Sequence, residues 1–405
     1  VFSTIPYIVF YTSLTFILYV YLGYPILLWL WRWIAFHEVH KTDYEPSVTI
    51  IVAAHNESNS IERKILNLLA LDYPARKVQI ILSLDGPTDD TELLARKYET
   101  GTMQVLLMKE HAGKAEALNQ AVSRATGRIL VFADTRQSLD RSAVRELVSN
   151  FGDVSVGAVS GELMLLDELG REAGDAVGCY WRYEKQLRSL ESDIHSTLGA
   201  TGALYAIRRE LYLPIPRHTI LDDVAIPMNA VLLGKRVVFD RTARVYDLVA
   251  SSPATEFTRK VRTLTGNFQL LKQMPELIAP WRNPVFIQFV SHKVGRLLVP
   301  YCLIMLFASN LFLKGAAYRG VLALQCAWYL LACAGALPSI RKMKSLALFP
   351  HTFVLMNWAA VVGLYRFLNI RHDVWSGHES VASLPGANRQ HEPSGRHTAK
   401  VPDAA

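Results

Sequence analysis

Cysteine is scarce in this chain, with four in 405 residues, at 179, 302, 326 and 333. None forms a Cys-x-x-Cys pair or a Cys/His cluster with zinc spacing, which excludes a disulfide framework and a structural zinc site. Each cysteine is expected to act as a small buried hydrophobe. A stripe of Arg and Lys interleaved with aromatics is also missing, so the net charge of +7 does not point to nucleic acid. The basic residues recur instead beside apolar runs, at Arg32, Arg282, Lys293, Arg296, Arg341, Lys342 and Lys344. That is the pattern of cytoplasmic membrane flanks. There is no internal repeat. The first stretch lacks the short apolar core and small-residue cleavage site of a signal peptide, and reads as a retained anchor. The start at Val1 rather than Met suggests a true N-terminus upstream.

What is present is apolar surface in long runs, since 51% of residues are hydrophobic. Residues 5–31 are almost uncharged and long enough to cross a bilayer, which takes about 20 residues. Gly23 and Pro25 are expected to kink this span, and Trp29, Trp31 and Trp33 with Arg32 to mark its cytoplasmic end. Further spans are expected at 296–313, 321–337 and 346–368, after a segment at 285–295 lying along the interface. The basic turn Ser339–Ser345 should be cytoplasmic, and Arg366, Arg371 and His372 beside the last span suit a re-entrant segment. The resulting division is an anchor at 1–35, a cytoplasmic domain at 36–254, basic interfacial helices at 255–295, about three membrane helices at 296–375, and a disordered tail at 376–405.

Between the apolar ends the pattern alternates. Strands are predicted at Val48–Ala53, Val78–Leu84, Gln104–Met108 and Ile129–Ala133. Helices are predicted through Ile61–Leu69, Thr91–Tyr98 and Lys114–Arg124, and as an amphipathic stretch at 178–195 with Tyr180, Tyr183, Leu187, Leu190 and Ile194 on one face. Alternation of this kind gives an α/β fold with a mostly parallel, Rossmann-like sheet covered on both faces. Three acidic stations follow or interrupt apolar runs: Asp85, Asp134 and the pair Asp222-Asp223. Each is expected at a strand end or in a nearby loop, where open α/β sheets bind ligands.

Six motifs stand in a fixed order: Ala54–Glu57, Asp85–Asp89, Gly113–Asn119, Asp134–Arg136, Asp222-Asp223 and Arg259–Thr263. This order resembles the family 2 inverting glycosyltransferases, membrane-bound enzymes of GT-A fold related to cellulose, chitin and hyaluronan synthases. The resemblance covers about residues 47–270 and implies a membrane-embedded enzyme that moves a sugar from a nucleotide sugar, UDP-linked, to a glycan or lipid acceptor. Its setting would be cell-surface polysaccharide or glycolipid synthesis at a bacterial plasma membrane, with the catalytic domain cytoplasmic and oligomers permitted. By the same resemblance Asp223 is the catalytic base. Ala54, Glu57, Asp85, Lys114, Asp134, Arg136, Arg259 and Arg262 bind the donor, with Asp85 on the uracil. Thr201, Gly202 and Asp222 border the acceptor, and Asp134 holds Mg²⁺ or Mn²⁺.

The chemistry agrees with these roles. A sugar hydroxyl is a poor nucleophile, so a carboxylate must take its proton, and cations must meet the charge growing on the departing diphosphate. Arg259 and Arg262 lie one helical turn apart, on one face. Two departures stand out. Arg136 replaces the second acid of the usual Asp-x-Asp, which weakens the metal site, and Thr263 replaces the Trp of the processive synthases. The first departure also admits a non-catalytic nucleotide-sugar sensor or subunit, against which the intact acid pair argues. A transporter is disfavoured because the spans hold no paired acids.

Overall fold

Strand β1 (Val48–Ala54) is buried along its whole length, as a strand covered on both faces must be. It pairs in parallel with β2 (Val78–Asp85) on one side and β4 (Ile129–Ala133) on the other, and β3 (Met103–Met108) extends the row beyond β2. Strand β7 (Leu204–Arg208) then runs antiparallel between β4 and β6 (Val156–Leu166). Strand β8 (Arg236–Leu248) lies parallel to β6 and carries the short β5 (Ser138–Leu139) on its free edge. The sheet order is β3-β2-β1-β4-β7-β6-β8-β5. The four predicted strands are therefore present, three of them one residue longer than expected.

The computed structural model describes residues 4–166, 176–248, 253–337 and 348–369. Its principal helices are α1 (Ile5–Ile34), α2 (Ile61–Leu69), α3 (Thr91–Arg96), α4 (Lys114–Ser123), α5 (Ala143–Ser149), α6 (Ala176–Ile194), α7 (Asp222–Leu232), α8 (Pro253–Gln273), α9 (Phe286–Asn310), α10 (Ala316–Ala334) and α11 (Leu348–Asn369). One face of the sheet is closed by α2 and α5 through Ile61, Ile65, Val144 and Leu147, and the other by α4 and α7 through Ala117, Leu118, Val224 and Met228. The Ser339–Ser345 turn, Arg371, His372 and the tail after Ser376 lie outside the described residues, as do the side chains of Cys179 and Tyr180.

Several expectations are corrected. Asp222 and Asp223 do not follow a strand; they occupy the first turn of α7, where the positive end of the helix dipole favours acids. Segment 285–295 is not separate from the following span but continuous with it in α9, because a π turn at Phe289–Val294 carries the helix onward. The anchor α1 has a matching π turn at Tyr19–Gly23, just before Pro25. Among the described residues, α1 and α9 are long and apolar enough to cross a membrane; α10 and α11, at two further expected spans, do not reach the same measure. Cys302 and Cys326 are half-buried and Cys333 is exposed, since α9 and α10 also turn apolar side chains such as Leu298, Ile304 and Leu330 outward.

Membrane-type helices and sheet domain are joined by α6. Its Leu187, Leu190 and Ile194 pack on Tyr24 and Leu28 of α1. The Tyr24 hydroxyl donates to Glu191 Oε1 at 2.7 Å, and His292 Nδ1 of α9 lies 2.7 Å from the same oxygen. Helix α11 packs on α8, with Phe367 stacked on Phe268 at 6.2 Å.

Candidate active site

The carboxyl ends of β1, β2 and β4 open onto one crevice, and three loops meet there. Asp85 ends β2 fully buried. Its carboxylate accepts hydrogen bonds from the backbone N–H of Ala112 (2.7 Å) and Gly113 (2.9 Å), and His111 Nδ1 lies 2.9 Å from it. Asp85 thus holds the turn that launches α4, and Gly113, at φ 96°, supplies the left-handed residue this turn needs. The opening loop after β1 is tied to the same place: His55 Nδ1 is 2.6 Å from the Asp85 carbonyl, and its ring lies 4.1 Å from that of His111. Ala54 is buried beneath this loop. The Glu57 carboxylate accepts from the Ser60 hydroxyl within its own turn, while Asn56 Oδ1 accepts from Thr88 N at 2.8 Å. Glu57 and Asp85 therefore shape the pocket's frame, and their carboxylates are engaged by the protein.

Lys114 connects the second and third acidic stations. Its ammonium lies 2.9 Å from Asp134 Oδ1 and 3.2 Å from Asp222 Oδ2. Burial works against its charge, but Asp134, Asp222 and Asp223 together hold its pKa above that of an ordinary lysine. Asp223 has the opposite problem. Burial, and then the charge of Asp222, push its carboxyl up to about 6 against the pull of Lys114. Its backbone carbonyl accepts from Ala200 N at 2.7 Å. Gly202 passes so close that a Cβ there would meet Asp223 Oδ2 at 3.1 Å. Thr201 Oγ1 accepts from Arg188 of α6 at 2.7 Å. The expected acceptor loop and the expected base are thus in contact.

The loop after β4 is gripped from behind by α2. Arg63, Lys64 and Asn67 donate to the carbonyls of Arg136 (3.0 Å), Gln137 (3.0 Å) and Leu139 (2.9 Å). Lys64 is 1% exposed, and burial lowers its pKa to about 7 despite nearby Asp134. The Arg136 side chain turns to Asp247 at the end of β8, with Nη2–Oδ2 2.7 Å and Nε–Oδ1 3.3 Å. Arg259 is exposed on α8, within electrostatic range of both Arg136 and Asp247. Arg262, one turn on, is half-buried and makes no hydrogen bond or ion pair among the described residues. Helix α8 seats against the loop before Asp222, where Gln269 Oε1 accepts from Ile220 N at 2.9 Å and Gly266 abuts Leu221.

Sequence reasoning passed over four residues of this arrangement: Asp247, Arg188, His111 and Lys64. His111 borders the Gly-Lys motif and was within reach. The other three are single polar residues in ordinary helix or strand patterns, and only the fold brings them to the crevice.

Residues 49–212 match the family model described as Glycosyl transferase family 2. The poly-beta-1,6-N-acetyl-D-glucosamine synthases of several Staphylococcus aureus strains are 25% identical over 279 residues, covering 66% of this chain and 66% of theirs. The match thus spans a little under two thirds of those relatives' length. Glycosyltransferase AglE of Haloferax volcanii is 24% identical over 220 residues, covering 52% of this chain and 68% of the relative. Among solved structures, the mannosyltransferase PcManGT from Pyrobaculum calidifontis, in complex with GDP-Man and Mn²⁺, superposes with a TM-score of 0.68 at 22% identity. The superposition covers 89% of this chain and 99% of that one. The fold is accordingly GT-A-like.

Proposed function

We propose, from the premise that this chain carries a glycosyl transferase family 2 domain and is a glycosyltransferase, that it is a membrane-embedded inverting enzyme of polysaccharide synthesis. The donor is a nucleotide sugar, UDP-linked by the motif resemblance, and the acceptor is a glycan or a lipid-borne sugar. The observation that carries this reading is the position of Asp223: half-buried against Gly202 of the expected acceptor loop and next to Asp222, which Lys114 joins to Asp134.

The acceptor hydroxyl attacks the anomeric carbon as its proton passes to the Asp223 carboxylate. The bond from that carbon to the diphosphate oxygen breaks on the opposite face, and the nucleoside diphosphate leaves with the electron pair. A base with a raised pKa accepts the proton more readily than an ordinary aspartate while still being ionised at neutral pH. Asp222 takes no proton in this scheme; paired with Lys114, it anchors the first turn of α7 beside the acceptor. Lys114, Arg259 and Arg262 face the growing charge of the leaving group, where preorganised cations stabilise the transition state more than the ground state.

A divalent ion fits this site only in part. Asp134 is the one acid left of the pattern, Lys114 lies 2.9 Å from its Oδ1, and no group of three or more metal-ligating side chains gathers among the described residues. One carboxylate shared with donor phosphates is enough for Mg²⁺ or Mn²⁺, so Asp134 would hold the ion, which when bound neutralises diphosphate charge. Membrane location is supported by α1 and α9. The sheet domain faces the cytoplasm by the positive flank at Arg32.

The test is nucleotide release by purified protein across UDP- and GDP-sugars, with products sized by mass spectrometry. Release from a UDP-sugar that rises with added acceptor supports the reading. Release from GDP-sugars only would overturn the donor assignment, and none from any donor would overturn the catalytic one.

A further inference from the structure

The place where the acid pair is broken has a counterpart far along the chain. Asp247 receives the Arg136 guanidinium fork at 2.7 and 3.3 Å, Gln137 Nε2 at 3.0 Å and the Leu248 backbone N–H at 2.9 Å. The Asp247 side chain is 10% exposed and that of Arg136 is 44% exposed. The carboxylate is therefore the fixed member of the pair and the guanidinium the one free to turn away. Burial lowers the pKa of Arg259 on α8 and Arg136 lowers it further, while Glu256 and then Asp247 oppose the change. A carboxylate and a phosphate offer a guanidinium fork the same geometry.

We propose that Asp247 is a resting counter-ion that occupies, on Arg136, the place of the donor's diphosphate, and that donor binding exchanges one anion for the other. The proposal rests on the donor-site reading above and names what regulates that site. In the empty enzyme Asp247 holds the Arg136 guanidinium. When the donor enters, Arg136 turns from Asp247 to the phosphate oxygens, beside the single carboxylate of Asp134. When the nucleoside diphosphate leaves, Asp247 reclaims the arginine. No bond is made or broken in the exchange. Its consequence is competition: Asp247 weakens donor and product binding alike and so hastens product release.

The experiment is calorimetric titration of the purified full chain with UDP and GDP, with chelator and with Mn²⁺, alongside steady-state kinetics. Asp247→Asn should bind the diphosphate about three- to tenfold tighter than the wild type, as expected when a competing anion is removed, and should turn over more slowly. Asp247→Glu should keep wild-type affinity. Arg136→Met should bind about tenfold more weakly, the scale of a charge-assisted contact, and Asp247→Asn added to it should gain nothing. Unchanged or weaker binding by Asp247→Asn, or a gain that survives in Arg136→Met, overturns the proposal. Should Asp247→Asn not fold, Arg136→Met decides alone: unchanged affinity sinks the exchange. A wild-type protein that binds neither nucleotide overturns the donor-site reading itself, a different result from binding without the exchange.

Discussion

At the scale of single residues, one lysine sets two adjacent acids in different surroundings. Asp222 is 5% exposed and meets Lys114 at 3.2 Å; Asp223 lacks that contact and is pushed up to about 6 by burial and by its neighbour. In the proposed mechanism turnover needs Asp223 without its proton, so activity should fall as pH drops through about 6, giving the acidic limb of a pH–kcat profile. A limb near an ordinary aspartate's pKa would count against this base. Asp223→Asn should lower turnover by about 10²–10⁴ while leaving nucleotide binding in place, and should raise the melting temperature, because the like-charge neighbour is gone. Asp134 bears on the metal. Chelator-treated enzyme given Mn²⁺ should show stimulation that is real but shallow, since one carboxylate and the donor phosphates hold the ion; full activity without any divalent ion would remove Asp134 as a ligand. The acid stations themselves were legible in the sequence because each follows a β-branched or apolar run. The role of Asp247 was not, because a lone acid at a strand end, 111 residues from its partner, carries no local signal.

At the scale of elements, α2 serves as a clamp on the loop after β4. Its Arg63, Lys64 and Asn67 each hold one carbonyl of that loop. Lys64 is charged at a cost: its pKa falls to about 7 on folding from an unfolded value near 10.5. Between those values the unfolded chain binds more protons, so wild-type stability should rise with pH across that window, by at most about 1.4 kcal/mol per unit. Lys64→Met lacks this slope, so denaturant melts of the two proteins from pH 7 to 10 should show the wild type gaining on the variant; parallel curves would show that Lys64 keeps an ordinary pKa. The loop at Thr201-Gly202, proposed to border the acceptor, offers a second check. Gly202→Ala places a methyl 3.1 Å from Asp223 Oδ2 and should cost roughly tenfold in kcat with donor binding unchanged. Most elements were readable from hydrophobic period alone. The start of α7 was not, because Ile-Leu-Asp-Asp-Val reads equally as a strand end or as an acidic first turn, and only the packing of Val224 and Met228 against the sheet decides it. The continuity of α9 was hidden by Ser291, His292 and Lys293, which look like an interfacial break and instead form its π turn.

At the scale of the whole molecule, sheet and helices share a buried polar junction. Glu191 of α6 is 0% exposed and is met by Tyr24 from α1 and His292 from α9. Arg296 of α9 pairs with Glu184 of the same helix α6, and the two π turns are joined by the Tyr19–Ser291 hydroxyl contact at 2.7 Å. Replacing Glu191 with Ala should destabilise the detergent-purified protein by about 3 kcal/mol, the cost of leaving the buried Tyr24 hydroxyl and His292 ring without their shared partner, and should open α6 to limited proteolysis; an unchanged melt would mean that the junction is incidental. The helices that flank the sheet domain, α1 before it and α9 after it, thus meet through three residues drawn from α1, α6 and α9. A lineage that exchanged only the sheet domain with a relative would inherit Glu191 without Tyr24 and His292. Recombination of this gene is therefore expected to succeed when anchor, α6 and α9 travel together, and the smallest heritable unit of the enzyme is larger than its catalytic fold.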